Sequence, residues 1–101
     1  MNFVTKEYAL QLINDIFDKI NHEYDNMDSD LIDGVLTIQD EDDRTYVISF
    51  HEPTSQIWYS SPVSGAHHFD INVSNEEKCC ISTRDHNIKF PDFFFNEISK
   101  L

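Results

Sequence analysis

The first quarter of the chain carries an apolar stripe at helical spacing, and this stripe is the strongest constraint on the fold. Between Lys6 and about Tyr24, apolar residues recur every three or four positions. They are Ala9, Ile13, Ile16, Ile20 and Tyr24. Because an α-helix completes a turn in about 3.6 residues, these side chains lie on one side of a helix. That side is expected to face the core.

The chain after Gly34 has the pattern of strands instead. Segments rich in β-branched and aromatic residues alternate with turn residues. Strands are predicted at Val35–Ile38, Thr45–Phe50, Gln56–Ser60, Phe69–Val73 and Lys78–Thr83. A closing helix is predicted from Phe90 to Leu101, since Pro91 and Asp92 suit a first helical turn.

The order of helix, strands and helix predicts an α+β fold. We expect a two-layer α/β sandwich, with the N- and C-terminal helices packed on one face of an antiparallel β-sheet. The other sheet face is then left to water or to partners. With 101 residues, 40% of them hydrophobic, the chain can bury one core, so residues 1–101 are interpreted as a single domain.

Two features of the sequence bear on the cellular compartment. Cys79 and Cys80 are adjacent within a predicted strand and point to opposite faces, so they suit neither a disulfide nor a shared metal ion. A reducing compartment is therefore expected. The segment after Met1 shows no secretory or transit pattern, which favours the bacterial cytoplasm, with the mitochondrial matrix as the alternative.

The net charge of −12 limits the classes of partner. A field of this sign repels nucleic acid and anionic membranes, and it attracts cations or basic protein surfaces. No apolar run approaches the roughly 20 residues that span a bilayer. We therefore expect neither a nucleic acid nor a membrane as partner. Composition alone also fits an acidic protein whose charge only keeps it soluble.

Acidic residues are concentrated on the side of the first helix opposite the apolar stripe. The row consists of Glu7, Asp15, Asp18, His22 and Asp25, and it continues through Asp28, Asp30 and Asp33. Like charges at this spacing destabilise an isolated helix by a few tenths of a kcal/mol each, so a role outside the helix is favoured. An ordinary solvated face is the alternative. Exposed carboxylates without convergent geometry are expected to bind Fe(II), Mn(II) or Ca(II) loosely.

The strand that begins at Gln56 predicts a surface on the open sheet face. Alternation places Ile57 and Tyr59 on one face and Gln56 and Trp58 on the other. Burying Gln56 would require partners for its amide, so Ile57 and Tyr59 are predicted inside and Trp58 outside. An outward tryptophan suggests a binding surface. Coverage of Trp58 by a loop or another strand stays open.

Two further patterns suggest chemistry but lack essential parts. The acidic turn Asp40–Arg44 lacks the central glycine and the later glutamate of a calcium loop. A hydrolase built from Ser60, His67 and Asp70 would require an oxyanion hole and a pocket, for which a short chain with two glycines gives no sign. No catalytic residue is predicted.

Taken in order, these segments resemble the frataxin family. The resemblance covers essentially the whole chain. It rests on the acidic first helix, Gly34–Ile38, Tyr46–Ile48, Gln56–Trp58 and the turn Ser61–Gly65 before Phe69 and Asp70. It implies an accessory protein of iron–sulfur cluster assembly that binds iron (Fe2+ or Fe3+) weakly at its surface. Such a protein docks on the cysteine desulfurase and scaffold complex and modulates sulfur transfer or iron delivery.

Site residues follow from the resemblance position by position. The implied metal-binding residues are Asp15, Asp18, Asp25, Asp28, Asp30 and Asp33, with His22 inside the row. The implied partner-binding residues are Ser49, Gln56, Trp58 and His68. We expect a monomer that performs no covalent chemistry, and iron oxidation is suggested by the resemblance alone. The alternative function is an acidic interaction module that blocks a basic partner without a metal role.

Overall fold

A computed structural model describes residues 3–74 and 77–101. Within these ranges two α-helices flank seven strands, and a short 3-10 helix lies at Glu52–Thr54. The helices are α1 (Phe3–Glu23) and α2 (Asp92–Ile98). The strands are β1 (Asp28–Ile32), β2 (Val35–Gln39), β3 (Thr45–His51), β4 (Gln56–Ser61), β5 (Gly65–Val73), β6 (Lys78–Ser82) and β7 (Lys89–Phe90). They form one antiparallel sheet in chain order.

The apolar stripe of α1 packs into the core as predicted. Ala9, Ile13, Ile16 and Ile20 are each at most 2% exposed. Tyr24 lies just beyond the end of the helix, where its ring stacks against Phe95 with centroids 6.2 Å apart. The stripe therefore extends past α1 and reaches the neighbourhood of α2.

One face of the sheet supplies the other half of this core. The residues buried there are Leu36, Ile38, Tyr46, Ile48, Ile57, Tyr59, Phe69 and Cys80. Antiparallel register aligns Leu36, Ile48 and Tyr59 side by side across β2, β3 and β4. Fully burying a large apolar side chain contributes about 1.5–3 kcal/mol, so this one-sided layer dominates the stability. The predicted α+β sandwich, with both helices on one sheet face, is confirmed.

Several predicted boundaries were wrong at the ends of elements. β5 begins at Gly65 instead of Phe69, so His68, which precedes the predicted strand, lies within β5. The closing helix spans only Asp92–Ile98, because Phe90 pairs with Cys80 as part of β7. Leu101 is 53% exposed and lies outside that helix.

The segment Asp28–Ile32 was predicted only as a continuation of the acidic row, yet it forms the edge strand β1. A two-residue turn, Asp33–Gly34, joins it to β2 with φ of +52° and +77°. Positive φ at both positions is typical of a type I′ hairpin turn, and glycine adopts it without strain. The turn thus brings an acidic segment into the sheet.

The acidic tip of the β2–β3 hairpin is organised around Asp40. Its carboxylate accepts hydrogen bonds from the N–H groups of Asp42 and Arg44, from Arg44 Nε and from the hydroxyl of Tyr46, at 2.9–3.0 Å. Burial alone would raise the pKa of Asp40, but these donors outweigh it and hold the pKa below its usual value. The tip is a folded turn and its central carboxylate is fully occupied by protein donors.

The turn after β4 is tied to α2 through one carboxylate. Ser61 Oγ accepts the N–H groups of Val63 and Ser64 at 3.0 and 3.1 Å and donates to Glu97 at 2.5 Å. The hydroxyl of Tyr59 donates to the same carboxylate oxygen at 2.6 Å. Burial opposes ionisation of Glu97, but the hydrogen bonds from Ser61 and Tyr59 outweigh it and lower the pKa. Glu97 therefore connects the turn, β4 and α2 as an ion.

Replacing Glu97 with glutamine is expected to lower the free energy of unfolding at neutral pH by about 1 kcal/mol, because two hydroxyls lose an ionised acceptor. Folding lowers the pKa of Glu97, so its contribution is fully present above the ordinary carboxyl pKa. That contribution is lost as the pH falls through the lowered value. Denaturant unfolding at a series of pH values should show a shallower acidic loss of stability in Glu97→Gln than in the wild type.

Glu23→Gln is the matched control, since it removes the same charge from an exposed position at the end of α1. It should change the free energy of unfolding by less than about 0.5 kcal/mol. The same loss of unfolding free energy at acidic pH in the wild type and in Glu97→Gln would contradict the assigned role of Glu97.

Candidate functional site

The sheet face away from the helices aligns three of the predicted partner-binding residues. Ser49 on β3 pairs with Trp58 on β4, and Trp58 pairs with His68 on β5. The buried partners along β4 confirm this orientation, since Ile57 is 0% and Tyr59 is 1% exposed. Ser49, Trp58 and His68 therefore form one row across three strands.

Trp58 faces outward but is partly covered, and two imidazoles cover it. The rings of His51 and Trp58 stack with centroids 3.7 Å apart, and those of Trp58 and His68 with centroids 4.5 Å apart. Both pairs are parallel to within 12°. His51 lies on β3 and His68 on β5, the two strands next to β4. Trp58 can therefore point outward from the sheet and still be partly buried.

A hydrogen-bond chain fixes the edge of the indole. Trp58 Nε1 donates to Gln56 Oε1 at 2.9 Å, and Gln56 Nε2 donates to Asp70 Oδ1 at 2.8 Å. The hydroxyl of Thr54 also donates to Gln56 Oε1, at 3.1 Å, and lies 2.7 Å from His51 Nδ1. Both ends of the Gln56 amide are thus engaged, which orients Trp58 before any partner arrives. We name the group His51, Thr54, Gln56, Trp58, His68 and Asp70 the Trp58 surface.

The sequence prediction missed His51, Thr54 and Asp70 in this group. Alternation along the strands could have found two of them, because His51 lies two residues after Ser49 and Asp70 two residues after His68. Both therefore share the outward face. Thr54 lies in the 3-10 helix, and strand periodicity does not apply to it.

The helical part of the acidic row is exposed to solvent. Asp15, Asp18 and His22 lie on the outer side of α1, and Asp25 lies in the turn after it. Gln11 donates to the carboxylate of Asp15 at 2.8 Å. His22 Nδ1 lies 2.6 Å from the carbonyl oxygen of Asp18, which can only accept, so Nδ1 carries the proton. The lone pair of His22 Nε2 then points away from this hydrogen bond.

The remaining acids of the row lie on the sheet. Asp28 and Asp30 on β1 share the outward face with Trp58, since Asp30 pairs with Thr37 and Val35 pairs with Ser49. Asp33 occupies the hairpin turn. At about 4.8 Å per strand, β1 lies about 14 Å from Trp58, three strands away.

β1 also contacts α1 directly, because Ser29 Oγ donates to Asn21 Oδ1 at 2.7 Å. The predicted metal residues therefore form a band that runs along α1, crosses its end and continues onto the edge of the sheet. We name this group the acidic band; it consists of Asp15, Asp18, His22, Asp25, Asp28, Asp30 and Asp33.

The acidic band does not converge on one point. Within residues 3–74 and 77–101, no three His, Cys, Asp or Glu side chains are grouped closely enough to hold a metal ion. Separate exposed carboxylates can attract and exchange cations through their summed field, with weak preference for any one divalent ion. The geometry fits loose binding of hard cations better than a closed metal centre.

Other candidate groups are not assembled into sites. Ser60 faces outward, whereas His67 pairs with Tyr59 on the core side and contacts Phe93 with ring centroids 4.7 Å apart. A hydrolase constellation is therefore not formed by these residues. Cys79 and Cys80 are free thiols, and burial raises the pKa of Cys80 to about 12, which keeps that thiol protonated. None of the helices in the described ranges has the length and hydropathy to cross a bilayer.

Solved structures match this architecture closely. Frataxin from Psychromonas ingrahamii superimposes with a TM-score of 0.73 at 25% identity, covering 99% of this chain and 90% of that one. Trimeric frataxin from Saccharomyces cerevisiae, complexed with ferrous iron, gives a TM-score of 0.70 at 29% identity and covers 99% and 86%. The likeness extends over nearly the whole of each chain.

Curated relatives agree with the structural neighbours. A mitochondrial frataxin homolog of Schizosaccharomyces pombe is 38% identical over 79 residues, which cover 76% of this chain and 49% of the relative. The iron-sulfur cluster assembly protein CyaY of Thioalkalivibrio sulfidiphilus is 35% identical over 63 residues, which cover 59% and 58%. The chain thus spans about half the length of these relatives, which include a mitochondrial and a bacterial protein.

The family model of the frataxin-like domain matches residues 4–101, from the second residue of α1 to the last residue. It therefore includes both the acidic band and the Trp58 surface. Together with the fold and the relatives, this match shows that the chain belongs to the frataxin family.

Proposed function

We propose that this protein is an iron-binding accessory protein of iron–sulfur cluster assembly, which docks on the cysteine desulfurase and scaffold complex. The observation that carries the proposal is the placement of the acidic band beside the Trp58 surface on a frataxin fold. Asp28 and Asp30 share the outward sheet face with Trp58. One partner complex can therefore contact both regions at once.

The acidic band supports loose iron binding. Its carboxylates are hard oxygen donors, and Nε2 of His22 adds one nitrogen donor of the kind that Fe(II) accepts. The donors are exposed and do not converge, so bound iron exchanges readily with solvent. Such exchange suits iron that is cargo for a partner and does not suit a resident cofactor.

The two regions support different parts of docking. The net charge of −12 attracts basic residues of a partner, and we assign the acidic band to the desulfurase. Trp58 and Gln56 are held by hydrogen bonds before binding, and we assign them to the scaffold together with Ser49 and His68. Preorganised aromatic side chains lose little conformational entropy on binding and often dominate interface energies. In this role the chain changes the rate of sulfur transfer or iron delivery without covalent chemistry of its own.

One observation favours a second candidate function. The described residues contain no convergent group of metal ligands, which is also what an acidic interaction module without a metal role requires. Such a module would bind a basic partner through the same acidic band and block it. The two functions differ in whether iron perturbs the band selectively.

Titration with Fe(II) under anaerobic conditions, followed by NMR, tests the iron role. We expect selective paramagnetic broadening of the resonances of Asp15, Asp18 and Asp25. The double variant Asp15→Asn with Asp18→Asn should weaken Fe(II) binding roughly three- to tenfold, since two neighbouring charges are removed.

Oxygen consumption in a separate aerobic assay with Fe(II) would reveal iron oxidation, and the double variant should abolish it.

The matched control is Glu41→Gln with Asp92→Asn, which removes two exposed charges outside the acidic band. It should retain the affinity of the wild type to within about twofold. Uniform broadening over all acidic residues would refute the iron role and favour the interaction module.

A pull-down with the cysteine desulfurase and scaffold tests the Trp58 surface. Trp58→Ala should weaken binding by at least about tenfold, because a tryptophan at an interface hot spot commonly contributes about 2 kcal/mol or more. Val63→Ala is the control, since Val63 is 54% exposed in the turn after β4 and lies outside this surface. Equal capture of the wild type and Trp58→Ala would rule out the proposed docking face.

A further inference from the structure

The Trp58 surface places one imidazole on each side of the only tryptophan of the chain. Five histidines are present, and two of them, His51 and His68, stack on Trp58 at 3.7 and 4.5 Å between ring centroids. Imidazoles as a class change charge between about pH 5 and pH 8. A protonated imidazole against an indole face is also stabilised by the negative charge density of that face.

The hydrogen bonds determine where His51 can gain a proton. The hydroxyl of Thr54 has one hydrogen, and the two oxygens near it, Gln56 Oε1 at 3.1 Å and the carbonyl oxygen of His51 at 3.5 Å, can only accept. With that hydrogen directed at an oxygen, His51 Nδ1, 2.7 Å from the hydroxyl oxygen, is assigned as the donor of that contact. Neutral His51 accordingly gains its proton at Nε2, and this leaves the chain from His51 to Gln56 intact. Protonation therefore adds charge without breaking the network.

His68 differs from His51 in its hydrogen bonding. Among the described residues its ring has no hydrogen-bond partner, and its backbone carbonyl accepts the N–H of Thr83 at 3.0 Å. Its neighbours across the sheet are Trp58 and, beyond it, Ser49, neither of which carries a charge. A proton on His68 therefore adds a full charge to the exposed surface.

Charged groups near the two imidazoles are few. Asp70 is the next outward residue after His68 on β5, and it lines a groove with Thr54 and His86. Glu52 follows His51 in the 3-10 helix, and its carboxylate lies 4.0 Å from Lys6 on α1. Beyond Ser49, the row through Trp58 continues through two apolar residues, Val35 on β2 and Ile32 on β1. Asp70 thus lies on the outward face on the same strand as His68, whereas Asp28 and Asp30 share that face from the distant edge strand β1.

We propose that His51 is a positioning residue for Trp58, and that protonation of His51 and His68 converts the Trp58 surface from a neutral aromatic patch into a cationic one. The inference rests on the proposed function, because this surface is the one assigned to the scaffold. Docking would bury these two charges, and burying an unpaired charge costs more free energy than burying a neutral ring. Docking is strongest with neutral imidazoles and weakens as the pH falls.

The emission of Trp58 measures the first part of this proposal without any partner. Protonated imidazole quenches indole fluorescence on contact, so the emission of the wild type should fall as the pH is lowered from about 8 to about 5. His51→Phe and His68→Phe keep an aromatic ring but remove the titrating group. Each should show a smaller fall, and the double variant none, whereas His86→Phe should titrate like the wild type. Constant emission in the wild type, or full titration in the double variant, would overturn the proposal.

Near-ultraviolet circular dichroism at about pH 8 tests the positioning role. His51→Ala removes the stacked ring and should reduce the tryptophan signal and the partner affinity together, whereas His51→Phe restores the stack and should recover both. A purely electrostatic role of His51 would leave the signal unchanged in His51→Ala. That outcome would refute positioning.

Partner affinity at about pH 7.5 and about pH 6 tests the switch. The partners titrate too, so the readout is the wild type relative to the double variant His51→Phe with His68→Phe. The wild type should lose about fivefold more affinity than the double variant on acidification. Equal pH dependence would overturn the switch. If Trp58→Ala does not weaken binding, the proposed docking function is overturned instead. The fluorescence experiment still tests the contact of the two imidazoles with Trp58, because it uses no partner.

Discussion

Burial on one side of the sheet is the constraint on which the rest of this structure depends. The apolar stripe of α1 covers the face that carries Leu36, Ile48 and Tyr59, and α2 completes the same layer. The strands β2, β3 and β4 therefore bury alternate residues and present the others outward. Because the side-chain period of a strand is two, a slip of one residue in β4 would bury Trp58 and expose Tyr59. The apolar core thus enforces the orientation of the Trp58 surface.

Periodicity predicted the parts of the fold in which burial follows the local pattern. The stripe of α1 and the alternation of Ile57 with Trp58 are of this kind. β1 escaped prediction because Asp28, Ser29 and Asp30 have low strand propensity. The Asp33–Gly34 turn was the available signal, since an aspartate–glycine pair between strands commonly forms a two-residue hairpin. Pairing with β2 and the contact of Ser29 with α1 override propensity there.

The candidate site was predictable in its orientation but not in its contacts. Alternation along β4 is a local property, and it correctly placed Gln56 and Trp58 outward. The stacking of His51 and His68 on Trp58 depends on the register of three strands, which a single sequence does not specify. The link from Thr54 to Gln56 depends on the exact course of the 3-10 helix between β3 and β4. The family assignment came from the order of the segments, a property that no single motif carries.

The two edge strands of the sheet, β1 and β7, differ in how much unpaired backbone they expose. β7 has two residues and offers almost no edge, whereas β1 has five and ends at Ile32, which is 61% exposed. Exposed edge strands promote association with other copies, and charges on the edge oppose it. Asp28 and Asp30 therefore act as gatekeepers of solubility for β1. Neutralising them, by acid or by substitution, would leave a short apolar edge open to strand-to-strand aggregation.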